Sequence, residues 1–146
     1  MSGTTIVALN RSMQTTMEWL HDIRDELGWD DDERVYDATK AVLHTIRDRI
    51  PLEVMAKFAA QLPMVLSGVF YDQYDPTKQP AKLRSREDFL ERIRENSPEQ
   101  NMNSEEAVRG VMKGLGNRVG QDSLDKIALN MPENIRDLIR GQTIRR

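Results

Sequence analysis

The sequence predicts an all-α protein, a helical bundle of about eight helices built from two related four-helix halves. Three observations carry that expectation. Apolar residues recur at steps of three and four along most of the chain, the mark of helices with one buried face. Glycines, prolines and acid-rich stretches punctuate these runs where helices begin and end. A shift of 69 residues, which carries Ala38 onto Ala107, also aligns the chain with itself.

The first helix is expected over Met13 to Leu27. Its inward stripe is read as Met13, Met17, Leu20, Ile23 and Leu27, with Trp19 flanking it and Gly28 beyond its end. Asp30 to Glu33 supplies acids for the N-terminus of a second helix, whose stripe is Val35, Ala38, Val42, Ile46 and Ile50. Pro51 ends the second helix or opens the next, a short third helix covers Leu52 to Leu62, and Pro63 starts a fourth, very apolar one through Phe70. Residues 73–84 hold two prolines and no periodicity, which predicts a loop. Ser85, with Asp88 three residues on, caps a fifth helix carrying Phe89, Leu90 and Ile93. Ser104 is read as the cap of a sixth, through Ala107, Val108, Val111, Met112 and Leu115. A seventh runs from Leu124 to Met131 and an eighth from Pro132 to Ile139. No segment reads as a strand.

The self-alignment runs without gaps from Ala38 to Phe70. It pairs Ala38 with Ala107, Val42 with Val111, Arg49 with Arg118, Lys57 with Lys126, Ala59 with Ala128 and Pro63 with Pro132. Leu43/Met112, Ile46/Leu115, Phe58/Ile127 and Gln61/Asn130 are conservative pairs in the same register. The expected organisation is a first half over residues 12–75, a basic, proline-containing connection over 76–86 and a second half over 87–140, in one compact domain. A half this size is marginal alone, because ~60 residues bury only about 60% of their surface, so the halves are expected to pack together.

Composition narrows the chemistry. The chain has 146 residues, enough to bury a core without disulfides or metals. It has no cysteine and two histidines, which removes thiol catalysis, thiolate metal sites and histidine-rich metal sites. Its net charge of −3 argues against a dedicated nucleic-acid binder. No apolar run approaches a membrane span and no signal-peptide pattern opens the chain, so a cytoplasmic protein is expected.

Ala41–Pro51 (AVLHTIRDRIP), Ala59–Pro63 (AAQLP), Gly68–Pro76 (GVFYDQYDP) and Arg84–Phe89 (RSREDF) together resemble the family known as domain of unknown function 2267. The resemblance spans about Trp19 to Ile139, and Tyr74 stands where family members carry Trp. It implies a small helical bacterial cytoplasmic protein, and it implies no activity and no catalytic residues.

Several groups invite chemical readings. His21 and Asp25, and His44 and Asp48, are four residues apart and share helix faces, as a His/Asp metal site would need. Neither matches an established motif, so solvated faces with local ion pairs are the favoured reading and no metal is assigned. Trp29 to Glu33 lacks the ligand order of a calcium loop and reads as a helix start. Gly114, Gly116 and Gly120 have the wrong spacing for a nucleotide loop; Gly110 and Gly114 suit close helix contact instead. Residues 76–86 hold Lys78, Lys82, Arg84 and Arg86 with no acid, in contrast to the acidic first half. Tyr71 and Tyr74 lie just before them. The candidate interaction surface is therefore Tyr71, Tyr74, Lys82, Arg84 and Arg86, aromatic anchors beside cations suited to carboxylates or phosphates. Arg140, Arg145 and Arg146 form a short basic tail.

The sequence thus points to a non-enzymatic interaction or scaffold module, with a protein partner or a second copy of the chain and no cofactor. The alternative is a small apolar-ligand-binding protein with a cavity between the halves, lined by methionines such as Met17, Met55, Met64, Met112 and Met131. The remaining reading, an enzyme built on His21 and His44, has no recognisable nucleophile motif behind it.

Overall fold

The computed structural model describes residues 4–99 and 101–141. Over these the chain is all-helical, with eight α-helices and no strand. They are α1 (Val7–Leu27), α2 (Asp32–Arg47), α3 (Leu52–Ala59), α4 (Met64–Tyr71), α5 (Arg86–Asn96), α6 (Ser104–Val119), α7 (Gln121–Leu129) and α8 (Arg136–Arg140). Short 3₁₀ turns occupy Pro76–Lys78 and Glu133–Ile135.

Helix boundaries follow local chemistry. The Asp31 side chain accepts from the backbone N–H groups of Glu33 and Arg34, which starts α2 inside the acidic run. The Ser85 side chain accepts from Asp88 N–H at the start of α5. At α6 the cap is Asn103, which accepts from Glu106 N–H, whereas Ser104 is the first helical residue and its buried Oγ has no partner. The amide carbonyl of Asn103 takes the capping role expected of Ser104 because it reaches N3 from one residue earlier. Gly28 ends α1 at φ 73°, a left-handed conformation that favours glycine.

The core is continuous and α6 is its centre, packing against α1, α2, α5, α7 and α8. Val35, Ala38, Val42 and Ile46 of α2 and Ala107, Val108, Val111 and Leu115 of α6 are all buried, as their periodicity predicts. The inward face of α1 differs from the expected stripe. Thr16 and Trp19 are buried with Leu20, Ile23 and Leu27, while Met13 and Met17 are exposed. The contact with α6 sets this face, and it rotates α1 toward Trp19. The helix also begins six residues earlier than the sequence suggested, at Val7 rather than Met13.

Gly110 and Gly114 let α1 and α6 approach closely. A Cβ added to Gly114 would stand 2.7 Å from the Cα of Ile23, and one on Gly110 would run into Leu27 Cδ2. Among the described residues, no helix is long and apolar enough to cross a membrane.

Candidate functional site

Pro51 follows the end of α2 and opens α3, whose eight residues bury Met55, Phe58 and Ala59. Gly120 separates α6 from α7, which buries Leu124, Ile127 and Ala128. Both helices are too short to cover their own flanks, and they meet side by side. Between them lies a half-open groove of about 310 Å³, lined by Val54, Phe58, Ile127 and Leu129 among other residues. Gln61 and Ser123 close one side, with Gln61 Nε2 donating to Ser123 Oγ at 2.8 Å. Lys57, Lys126 and Glu53 also border the groove. Both lysines are exposed, and no carboxylate in the described residues pairs with either. Four of the lining pairs are related by the 69-residue shift: Val54/Ser123, Lys57/Lys126, Phe58/Ile127 and Gln61/Asn130.

Past Asn130 the surface continues into a second hollow of about 290 Å³. Arg49, Ile50, Leu52, Tyr74, Gln79 and Pro80 are among its lining residues. Gln79 joins Pro80 through a cis peptide bond, and its Nε2 donates to Asp48 Oδ1. Two of the residues lining this hollow each carry a buried polar atom without a hydrogen-bond partner, Arg49 Nε and Gln79 Oε1.

The residues singled out in the sequence differ in how they are engaged. Tyr71 and Tyr74 do meet, edge to face at 6.4 Å between ring centroids. Tyr71 also packs on Phe70, and Tyr74 lies 5.5 Å from the Arg47 guanidinium. Lys82 and Arg84 are exposed. Arg86 is engaged within the protein: it donates to Asp137, Glu105 and the Asn134 carbonyl, which fastens the start of α5 to α6 and the C-terminal segment. Burial pushes the Asp137 carboxyl up, but hydrogen bonds from Arg86 and Arg109 outweigh it and hold the group below its ordinary value. Of the basic tail, Arg140 is exposed at the end of α8, and Arg145 and Arg146 lie outside the described residues.

The histidines separate as well. His21 is half-buried and faces Asp32 across the α1–α2 junction at 3.3 Å, so its acid is Asp32 rather than Asp25. His44 is not on a solvated face. It is only 7% exposed, and its Nε2–H donates to the Val69 carbonyl at 2.8 Å, because α4 packs over that side of α2. Asp48 serves Arg47 and Gln79 instead of His44. Burial, with repulsion from Arg47 and Lys40, lowers the His44 pKa below its ordinary value, against the raising effect of the Val69 bond. No cluster of three or more potential metal ligands exists among the described residues.

The methionine reading changes too. Met55, Met112 and Met131 fill the core, Met17 and Met64 are at the surface, and none of the five lines either hollow. Sequence reasoning missed the α3–α7 groove and Arg49. Its signal was present in the aligned pairs Lys57/Lys126 and Arg49/Arg118, whose polar members a buried helix face does not explain.

Comparison with curated proteins finds no match. The family model described as "Uncharacterized conserved protein (DUF2267)" matches residues 16–138, which takes in both hollows, the core helices and most of the chain. With that span matched, the chain belongs to the DUF2267 family.

Proposed function

We propose that this protein is a non-enzymatic interaction module that receives a segment of a partner protein in the groove between α3 and α7. The observation that carries this reading is the groove itself: an apolar floor of Val54, Phe58 and Ile127 bordered by two exposed lysines that pair with no carboxylate among the described residues. An apolar side chain from the partner would lose water against that floor, and a neighbouring carboxylate would meet Lys57 or Lys126. Rim charges of this kind contribute mainly to encounter rate and selectivity, and the apolar anchor contributes most of the affinity. The reading treats the chain as a duplicated helical unit with one short helix from each half forming the receiving face. Paired helical units present binding surfaces of this kind. It also moves the expected contact surface from the Tyr71–Arg86 segment, where Arg86 is already engaged, to the adjoining α3–α7 face.

The test is site-specific photocrosslinking in cells that express the protein. A benzophenone amino acid replaces Leu129, an exposed rim residue, or Glu91, an exposed control on α5. The expected outcome is a discrete protein adduct from position 129, absent from position 91 and lost in the Lys57→Glu/Lys126→Glu variant with unchanged Tm. Equal adducts at both positions, or an adduct that survives the charge reversal, would overturn the reading.

A further inference from the structure

Arginines in this protein are nearly always engaged when they are partly covered. Arg24 pairs with Asp32, Arg34 with Glu99, Arg86 with Asp137, Arg92 with Glu95 and Arg109 with Glu105. Arg136 donates to the Met131 carbonyl. Arg49 is the exception among the described residues: it is half-buried, its Nε is shut away from solvent, and its side chain has neither hydrogen bond nor ion pair.

The aligned residue sharpens the contrast. Arg118 donates through Nε to Asp22 Oδ2 at 2.6 Å and lies 6.0 Å from the Trp19 ring. The acid that serves Arg118 comes from α1. The stretch of α5 that the sequence aligns with α1 places Arg92 where α1 has Asp22, so Arg49 gains no equivalent carboxylate. A buried N–H without an acceptor is costly, and native proteins rarely keep one without a reason.

Arg49 shares its hollow with a second orphan of opposite character. Gln79 Oε1 is a buried acceptor without a donor, and its amide is fixed by the bond from Nε2 to Asp48. Tyr74 forms part of the wall, and the hollow opens to solvent and toward the α3–α7 groove at Asn130. One ligand that satisfies both orphans must present an anionic acceptor to Arg49 and an N–H to Gln79. A carboxylate suits the guanidinium because its two oxygens match the N–H fork.

We propose that the Arg49 hollow binds a carboxylate with an adjacent amide N–H, the arrangement found at a peptide C-terminus and in a free N-acylated amino acid. Arg49 takes the carboxylate, Gln79 Oε1 accepts from the N–H, and the side chain rests against Ile50, Leu52 and Pro80. This site does not depend on the α3–α7 reading, because its two orphan groups stand outside that groove.

The test is an NMR titration of the full ¹⁵N-labelled chain, following the Arg49 Nε–H signal, assigned by its loss in Arg49→Lys. Added N-acetylleucine should shift that signal and the Gln79 side-chain amide saturably. N-acetylleucinamide, which lacks the carboxylate, and acetate, which lacks the N–H, should each bind at least tenfold more weakly. Tighter binding of N-acetyl-Ala-Ala-Leu assigns a peptide C-terminus, and equal binding assigns the free acylamino acid. Absence of a saturable shift, or equal binding of the amide or of acetate, overturns the proposal. Should Arg49→Lys fail to fold, the Gln79 side-chain amide, assigned through the backbone of the unmodified protein, carries the same readout.

Discussion

The two helix pairs at the heart of the bundle are built differently. The α1–α6 pair runs long, 21 residues against 16, and its contact is made by removing side chains: Gly110 and Gly114 let Leu27 and Ile23 press onto the α6 backbone. The α2–α5 pair is shorter on one side, 16 residues against 11, and places Ala41 and Thr45 where α6 has its glycines. There the join is polar. Thr45 Oγ1 donates to the Ala41 carbonyl within α2 and accepts from Asn96 Nδ2 of α5 at 2.9 Å. One pair gains stability from close backbone approach and the other from a directed hydrogen bond. The difference extends to the aligned arginines: α1 supplies Asp22 to Arg118, whereas α5 carries Arg92 at the aligned position and supplies nothing to Arg49.

The largest way to break this contrast is Gly114→Ala. In an exposed helix the change would help by about 1 kcal/mol. Here the new methyl meets backbone, Ile23 Cα at 2.7 Å and Ile23 N at 3.0 Å, which cannot rotate away. Overpacking of this kind costs up to about 3 kcal/mol. The expected net loss is about 2 kcal/mol, a fall of roughly 6 °C in Tm for a chain of this size. Thermal denaturation checks it, and a Tm at or above the parent's would mean that α1 and α6 do not depend on the glycines. Gly110→Ala should cost less, because its nearest contacts are Leu27 Cδ2 and Cγ, side-chain atoms that can move.

The second effect belongs to the other pair. Thr45→Val keeps the shape and removes both hydrogen bonds of a residue with no solvent exposure in a contact that has no glycines. Asn96 is exposed and can return to water, so the expected loss is about 1 kcal/mol rather than the larger cost of a stranded group. Urea denaturation reads it as a lower midpoint with an unchanged slope. A loss as large as that of Gly114→Ala would erase the distinction between the pairs.

The same comparison shows what sequence reading reaches. The stripes of α2 and α6 were legible because one buried face imposes its period on the residues themselves. The close-contact role of Gly110 and Gly114 was legible because glycine in mid-helix costs stability and calls for a packing reason. The face of α1 was misread, since Met13 and Met17 fit the period as well as Thr16 and Trp19 do, and only the partner helix decides between them. His44 looked like a polar surface residue until α4 was packed over it. The hollows were illegible for a related reason. Arg49, the Tyr74–Gln79 stretch and Asn130 are far apart in the chain, and each has an ordinary local context. An orphaned donor is a property of its surroundings, which a single sequence does not display.

His44 carries the remaining contrast, confined to a window of pH. Its aligned residue on α6 is Lys113, exposed and paired with Glu26 across the α1–α6 contact, whereas His44 is buried under α4. Burial holds its pKa in the folded chain below the ordinary 6.5. The unfolded chain therefore binds a proton first as pH falls, and stability rises with pH wherever the unfolded state holds more protons. The contribution of His44 is present above pH 6.5, and it is lost as pH drops through 6.5 toward the lower folded value. Neutral imidazole suits the site because one N–H satisfies the Val69 carbonyl, while a charged ring would face Arg47 and Lys40. In His44→Gln, whose amide can keep the donation to Val69, the pH dependence of Tm between pH 7.5 and 5.5 should become shallower. A parent and a variant with identical slopes over that range would show that the buried imidazole is not what α4 protects from protonation.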